Sequence, residues 1–217
     1  LTRAQQETRI GPSRTTIVWA SFAVAMSSVA GLLMIGQPLR APSAMRVEVV
    51  RPDDAASVSS IDPAVPVDAA RYDAIVLHAS GSDAGTPGEL DRLHRSEGLE
   101  GLGFHFVVGN GNGLGDGVLH RSLRWERQSA GAHVAAIGSD RSLADDWNRR
   151  SIGICLIGNG ERTGFTPQQL AQLVDLVREL QRRYAIPASE VRLHSDLAPV
   201  DSPGPMFPVG WFEAQLD

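Results

Sequence analysis

Short apolar runs alternate with amphipathic stretches along residues 71–217 of the chain. Two of these runs, residues 74–78 and 151–158, are apolar at nearly every position, which is typical of strands that are covered on both faces. Three shorter runs predict further strands, at residues 104–108, 117–120 and 191–194. Strands that alternate with amphipathic helices predict an α/β domain, a mixed β-sheet flanked by α-helices.

Two of the predicted helices are marked by their first turns. Thr86 and Thr166 are each followed by proline, and three positions later by Glu89 or Gln169. This arrangement is a capping box, in which the threonine and the third helical residue satisfy each other's backbone amides. One apolar face then follows Thr166, at Leu170, Leu173, Val174, Val177, Leu180 and Tyr184. The spacing predicts a long helix that covers the sheet, and a last helical turn is predicted at residues 211–216.

The N-terminal part of the chain has a different pattern. Residues 15–36 carry no charge and are long enough to cross a hydrocarbon core about 30 Å thick. We interpret them as a transmembrane helix or signal anchor rather than a cleaved signal peptide, whose apolar core is usually only about 7–15 residues long. Residues 1–14 are then a cytoplasmic tail, residues 37–70 a linker rich in Pro, Ala, Ser and Asp, and residues 71–217 the folded domain.

Composition excludes some classes of function. The net charge of −5 offers no basic surface of the kind that binds nucleic acid. All 20 basic residues are arginine, so no lysine can act as a catalytic base or cation. The single cysteine, Cys155, excludes an internal disulfide and a CxxC metal site, and its apolar neighbours predict a buried thiol rather than a nucleophile.

Two histidines stand at the ends of predicted strands. His78 ends the run at 74–78, and His194 ends the run at 191–194. Strand ends at one edge of an α/β sheet are where such folds build their sites, and catalytic zinc takes three protein ligands and leaves a fourth position open. Either histidine alone is more often structural, but the two together predict a metal site.

Seven segments carry a family resemblance. In chain order they are IVLHAS, GLGFHFVVGNG, DGVLHRS, GAHV, SIGICLIGNG, FTPQQLAQLVDLVREL and LHSDLAPVDSPGPMF, and they span most of residues 74–210. In order and spacing they resemble the zinc amidase type 2 family, which contains N-acetylmuramoyl-L-alanine amidases and peptidoglycan recognition proteins. The resemblance implies a bound Zn²⁺ ion, peptidoglycan or muropeptides as partners, and hydrolysis of the amide between the lactyl group of N-acetylmuramic acid and L-alanine.

Carried over residue by residue, the resemblance implies that His78 and His194 are the two zinc histidines. The third family ligand is a cysteine or aspartate directly before Pro-Gly, and this chain has Ser202 there. A serine hydroxyl is a poor substitute for a thiolate or a carboxylate. Asp201, one position earlier, is the alternative anionic ligand.

The family's two catalytic side chains are also replaced. The tyrosine before His-Phe is Phe104, and the lysine two positions before the third ligand is Val200. General acid–base catalysis by such a side chain is typically worth about 10²–10⁴-fold in rate, and neither replacement can supply it. No residue is therefore assigned a certain catalytic role. His133, in the segment GAHV, matches a family histidine at the groove edge. It is predicted to contact substrate, as is Phe104, or to orient a ligand.

Two functions therefore remain open. The first is a membrane-anchored amidase in the periplasm or another extracytoplasmic part of the envelope, in which zinc-activated water cleaves the lactyl–L-alanine amide. The second is a peptidoglycan-binding protein that keeps the groove but lacks the third zinc ligand. The two intact zinc histidines favour the amidase. The replacements at Ser202, Phe104 and Val200 favour the binding protein. A role in regulating a polymerase, known for a phage relative, is disfavoured by the acidic charge and the membrane segment.

Overall fold

The computed structural model describes residues 61–135 and 141–216. Within these ranges five strands form one sheet: β1 (Ala74–Ala79), β2 (Phe106–Val108), β3 (Leu119–Arg121), β4 (Ser151–Leu156) and β5 (Val191–Leu193). Their order across the sheet is β3–β2–β4–β1–β5. The pair β2–β3 is antiparallel and the other neighbours are parallel. The mixed α/β sheet predicted from the sequence is therefore confirmed.

The described residues also contain five α-helices, α1 (Pro87–Ser96), α2 (Leu123–Glu126), α3 (Ser142–Arg150), α4 (Pro167–Tyr184) and α5 (Val209–Glu213). Both predicted capping boxes are present at the starts of α1 and α4. The last helix begins two residues earlier and ends three residues earlier than the predicted turn. The sequence pattern did not indicate α2 or α3, because α2 is a single turn and α3 buries only one of its residues, Ala144.

The sheet has an apolar layer on each face, because neighbouring side chains along a strand point to opposite sides. On one face, Ile75 and Leu77 of β1 belong to the main core together with Leu173, Val177 and other residues of α4. The second face carries a smaller cluster, made of Leu90, Leu102, Phe104, Val107, Cys155 and Ile157. Burying one Leu or Ile side chain contributes roughly 1.5–3 kcal/mol, so the layer under α4 dominates the stability. His78 follows Leu77 and therefore lies on the second face.

The first described residues pack against this domain. The side chain of Ile61 is buried in the main core, and its carbonyl accepts a hydrogen bond from Trp125 Nε1 at 2.7 Å. Arg183 forms an ion pair with Asp62 at 2.8 Å, and the backbone N–H of Ala64 donates to Glu126. The end of the predicted linker is thus held by α2 and α4.

The membrane segment predicted at residues 15–36 lies outside the described residues, as does the start of the linker. Within residues 61–135 and 141–216, no helix is long and apolar enough to span a bilayer.

Candidate functional site

Three histidine rings meet at one edge of the sheet. His78 is the penultimate residue of β1, His194 follows β5 directly, and His133 lies in the chain between α2 and α3. The ring centroid of His78 is 4.4 Å from that of His194 and 5.1 Å from that of His133. Since β1 and β5 are parallel neighbours, their carboxyl ends bring His78 and His194 together, as the sequence predicted.

His78 and His133 are joined by a hydrogen bond. Nε2 of His78 lies 3.2 Å from Nδ1 of His133, and both side chains are buried. Burial lowers the pKa of each ring well below 6.5, and the neighbouring histidines lower both further. Both imidazoles are therefore neutral near pH 7, and a single hydrogen lies between the two facing nitrogens.

His194 adds an unsatisfied nitrogen to the cluster. Its Nε2 is buried and has no hydrogen-bond partner among the described residues. Burial also lowers the pKa of this ring, so the ring is neutral near pH 7. Leaving a buried polar atom unpaired costs about 1–3 kcal/mol. The nitrogen therefore marks a position where a ligand or an ion would be stabilised.

Ser202, predicted to replace the third ligand, lies beside the residues that follow the two strand-end histidines, and its carbonyl accepts the N–H of Ser195 at 2.9 Å. Its Oγ accepts a hydrogen bond from the backbone N–H of Ala79 at 3.1 Å. Asp201, the alternative ligand, is exposed. In the described part of the chain, no three His, Cys, Asp or Glu side chains are arranged to hold a metal ion. Two imidazoles are in place, but these residues do not build the three-ligand site of catalytic zinc.

A groove of about 870 Å³ opens next to the cluster, between α1 and α3. This volume lies within the range of about 300–1,000 Å³ that is usual for ligand sites. Its wall contains both residues predicted to contact substrate, Phe104 and His133. Charged side chains line it as well, namely Glu97, Arg141, Asp145 and Arg149. The groove can therefore receive a molecule that has both apolar and polar groups.

His94 also faces this groove. Its Nδ1 accepts the backbone N–H of Gly103 at 2.9 Å, so the ring hydrogen is on Nε2. Its ring packs on Phe104, with centroids 5.2 Å apart. No spacing in the sequence indicates this role, because it depends on how the chain returns from α1 to Phe104.

The comparisons with known proteins agree with this geometry. The family model for N-acetylmuramoyl-L-alanine amidases matches residues 68–205. The chain belongs to this amidase family. No curated protein matched the sequence of this family member.

Solved structures similar to this amidase-family domain include both amidases and recognition proteins. The amidase LysC from Clostridium intestinale URNW is 27% identical, with a TM-score of 0.56 over 71% of this chain and 91% of that chain. AmpD is 23% identical, with a TM-score of 0.51 over 69% and 87%. A peptidoglycan recognition protein, PGRP-LE, solved with tracheal cytotoxin, is 18% identical, with a TM-score of 0.51 over 69% and 84%. At these low identities, the similarity to AmpD and PGRP-LE shows a shared fold and nothing more.

The two positions to which the sequence resemblance assigned the family's catalytic side chains carry no proton donor in this domain. Phe104 is buried between the rings of His78 and His94, with centroid distances of 5.0 and 5.2 Å. It has the shape of the family tyrosine but no hydroxyl group. Val200, at the family lysine position, is 41% exposed and offers no charge. Neither side chain can donate a proton to a leaving group.

Proposed function

We propose that this amidase-family domain binds muropeptides or peptidoglycan stem peptides beside His78 and His194 without cleaving them efficiently. Ser202 is the observation that carries the proposal. It places a neutral hydroxyl, engaged with the N–H of Ala79, where an amidase needs a thiolate or a carboxylate. Phe104 and Val200 remove the groups that assist catalysis. The groove is kept while the groups that perform the chemistry are replaced.

The lining of the groove supports a glycopeptide ligand. Phe104 and Val134 form an apolar wall, His94 presents a ring N–H, and Arg141 and Arg149 bring cations that can meet peptide carboxylates. The similar LysC protein is an amidase. PGRP-LE was solved with tracheal cytotoxin, a monomeric peptidoglycan of the diaminopimelic acid type. These two similar proteins support peptidoglycan fragments as the class of ligand. The replacements at Ser202, Phe104 and Val200 favour binding over cleavage.

The second candidate function is zinc-dependent hydrolysis of the lactyl–L-alanine amide. The unpaired, buried Nε2 of His194 next to His78 favours it, because a cation would satisfy that atom. His78 and His194 would hold the ion through neutral nitrogens, since burial lowers the pKa of both rings. Zinc, when bound, polarises the scissile carbonyl and activates water. The protein's own part would be to hold the peptide in the groove.

We also propose that the domain faces the periplasm or another extracytoplasmic compartment, tethered by residues 15–36. The proposal rests on the uncharged length of that segment and on the location of peptidoglycan outside the cytoplasm.

Three measurements on the full chain separate the two functions. Co-sedimentation with insoluble peptidoglycan measures binding, release of L-alanyl peptides from muropeptides measures cleavage, and competition with a chelator measures zinc affinity. We expect binding, weak zinc affinity, and peptide release at least about 100-fold slower than by the LysC amidase, since one lost acid–base group is worth about 10²–10⁴-fold. Tight zinc binding with release at the rate of LysC would establish the hydrolase instead. Failure to co-sediment would reject the binding proposal.

A further inference from the structure

We infer that Asn148 is a positioning residue that holds residues 131–134, the groove segment, in the shape that binds a muropeptide. The inference deepens the proposed function and rests on it for the identity of the ligand. Asn148 lies near the end of α3, and it lines the groove together with all four residues of the groove segment. Helix and segment therefore meet at the wall of the groove.

The groove segment has no regular structure of its own. Residues 129–135 belong to no helix or strand, so their backbone N–H groups cannot be paired within an element. His133 and Val134 are nevertheless buried, and a buried N–H group without a partner is costly. The segment must therefore form its hydrogen bonds with other parts of the chain.

Asn148 provides most of these hydrogen bonds. Its side-chain Oδ1 accepts the N–H groups of His133 and Val134 at 2.8 and 2.9 Å. Its Nδ2 donates to the carbonyl of Val134 at 2.8 Å, and its backbone carbonyl accepts the N–H of Gly131 at 2.7 Å. One residue thus holds both the first and the last residue of the groove segment.

A second contact fixes the middle of the groove segment. The N–H of Ala132 donates to the carbonyl of Gly103 at 2.9 Å, and a Cβ atom on Gly103 would lie 2.3 Å from the carbonyl oxygen of Ala132. All four N–H groups of the segment are therefore engaged within the protein. A ligand meets a wall that already has its shape, and such preorganisation lowers the cost of binding.

The side-chain amide of Asn148 is suited to this role because it both accepts and donates. A carboxylate could accept the two N–H groups, but it would set an oxygen against the carbonyl of Val134. Alanine would form none of the three side-chain hydrogen bonds. Alanine is also the residue that favours a helix most, so Asn148→Ala does not weaken α3 itself. A change in the groove after this substitution would come from the lost hydrogen bonds.

The test compares Asn148→Ala with Asn148→Asp in the full chain. Hydrogen exchange followed by NMR measures the protection of the N–H groups of His133 and Val134. We expect both to exchange at least about tenfold faster in Asn148→Ala, and at nearly the wild-type rate in Asn148→Asp, which keeps the acceptor. Affinity for a soluble muropeptide should fall about tenfold in Asn148→Ala, the equivalent of roughly 1.4 kcal/mol, and about threefold in Asn148→Asp.

Gln169→Ala is the matched control. The side-chain amide of Gln169 also forms three hydrogen bonds with the backbone, to Thr166, Val108 and Ile157. It belongs to α4, which packs on the face of the sheet opposite the cluster that contains Phe104. We expect Gln169→Ala to lower the free energy of unfolding at least as much as Asn148→Ala. Muropeptide affinity and hydrogen exchange in the groove segment should stay unchanged in this control.

Unchanged muropeptide affinity in a folded Asn148→Ala would overturn the inference, and so would an equal loss of affinity in Gln169→Ala. If Asn148→Ala does not fold, Asn148→Asp decides, because an affinity equal to that of the wild type would also reject the role of Asn148. A wild type that binds no muropeptide would reject the proposed function. In that case, faster exchange at His133 and Val134 in Asn148→Ala but not in Gln169→Ala would still uphold the positioning role, and unchanged exchange would reject it.

Discussion

At the scale of single residues, one hydroxyl decides what the histidine site can hold. Ser202 gives the site a neutral oxygen that already accepts the N–H of Ala79. We expect Ser202→Cys to raise zinc affinity by at least about tenfold, or roughly 1.4 kcal/mol. The thiolate would complete, with His78 and His194, the three-ligand site that catalytic zinc uses. Titration against a competing chelator measures the change.

The control for this substitution is Ser189→Cys, because Ser189 is exposed and lies before β5, at the opposite end of the strand from His194. It should leave zinc affinity unchanged. Peptide release by Ser202→Cys should rise less than zinc affinity, since Phe104 and Val200 remain. A wild type that already binds zinc tightly and cleaves well would contradict the argument and would indicate Asp201 as the third ligand.

A second prediction at this scale concerns the buried ring of His105. Its Nδ1 accepts the N–H of Gly153 at 3.0 Å, and its Nε2 donates to the carbonyl of Ser129 at 3.0 Å. Burial lowers the pKa of His105 to about 4, while an unfolded histidine has a pKa near 6.5. The unfolded state therefore binds more protons below about pH 6.5. The contribution of His105 to stability is complete above that pH and is lost as the pH falls toward about 4.

We expect the free energy of unfolding to fall between pH 6.5 and pH 4, with a slope of up to about 1.4 kcal/mol per pH unit from His105 alone. Burial lowers the pKa of His78 and His133 as well, so these rings add to the slope in the same direction. Urea unfolding at several pH values measures it. His105→Asn keeps an acceptor for Gly153 and cannot be protonated, so its profile should be flatter. A wild-type stability that does not change between pH 7 and pH 5 would refute this account.

At the scale of elements, the start of α4 ties the long helix to the sheet. Thr166 Oγ1 accepts the N–H of Gln169 at 3.0 Å, and the side chain of Gln169 returns to the N–H of Thr166 at 3.2 Å. Nε2 of Gln169 also donates to the carbonyls of Val108 and Ile157. The cap therefore fixes both the first turn of the helix and its contact with the strands.

We expect Thr166→Ala to lower the free energy of unfolding by about 1–2 kcal/mol, which is the usual effect of losing a threonine cap. The loss of the hydrogen bond to Asp116 acts in the same direction. Gln168→Ala is the matched control, because Gln168 is exposed in the same turn. Thermal unfolding of the two variants gives the comparison. Equal stability of both would show that the cap contributes nothing here.

At the scale of the whole molecule, the prediction concerns membrane attachment. We predict that residues 15–36 form a transmembrane helix and that the groove faces away from the cytoplasm. Cell fractionation and sequencing of the mature N-terminus test this. The full chain should remain in the membrane fraction after a high-salt wash and retain its first residues. A soluble protein with an N-terminus near residue 45 would show a cleaved signal peptide instead.

Local signals in the sequence were sufficient for most elements of the domain. The caps at Thr86 and Thr166 and the apolar runs of β1 and β4 appear in the structure where the pattern predicted them. Such signals depend on residues within a few positions of one another, or on burial of both sheet faces, so they can be read along the chain. Resemblance to the amidase family then indicated His78, His194 and Ser202.

Only the tertiary structure decided what surrounds those residues. His78 hydrogen-bonds to His133, Gly131 and Gly153 both approach the ring of His133 closely, and the N–H of Ala79 donates to Ser202. These contacts join positions that are far apart in sequence. These contacts depend on how separate loops pack at one edge of the sheet. Residue type limits which bonds a side chain can form, but the folded chain decides which partner comes within reach.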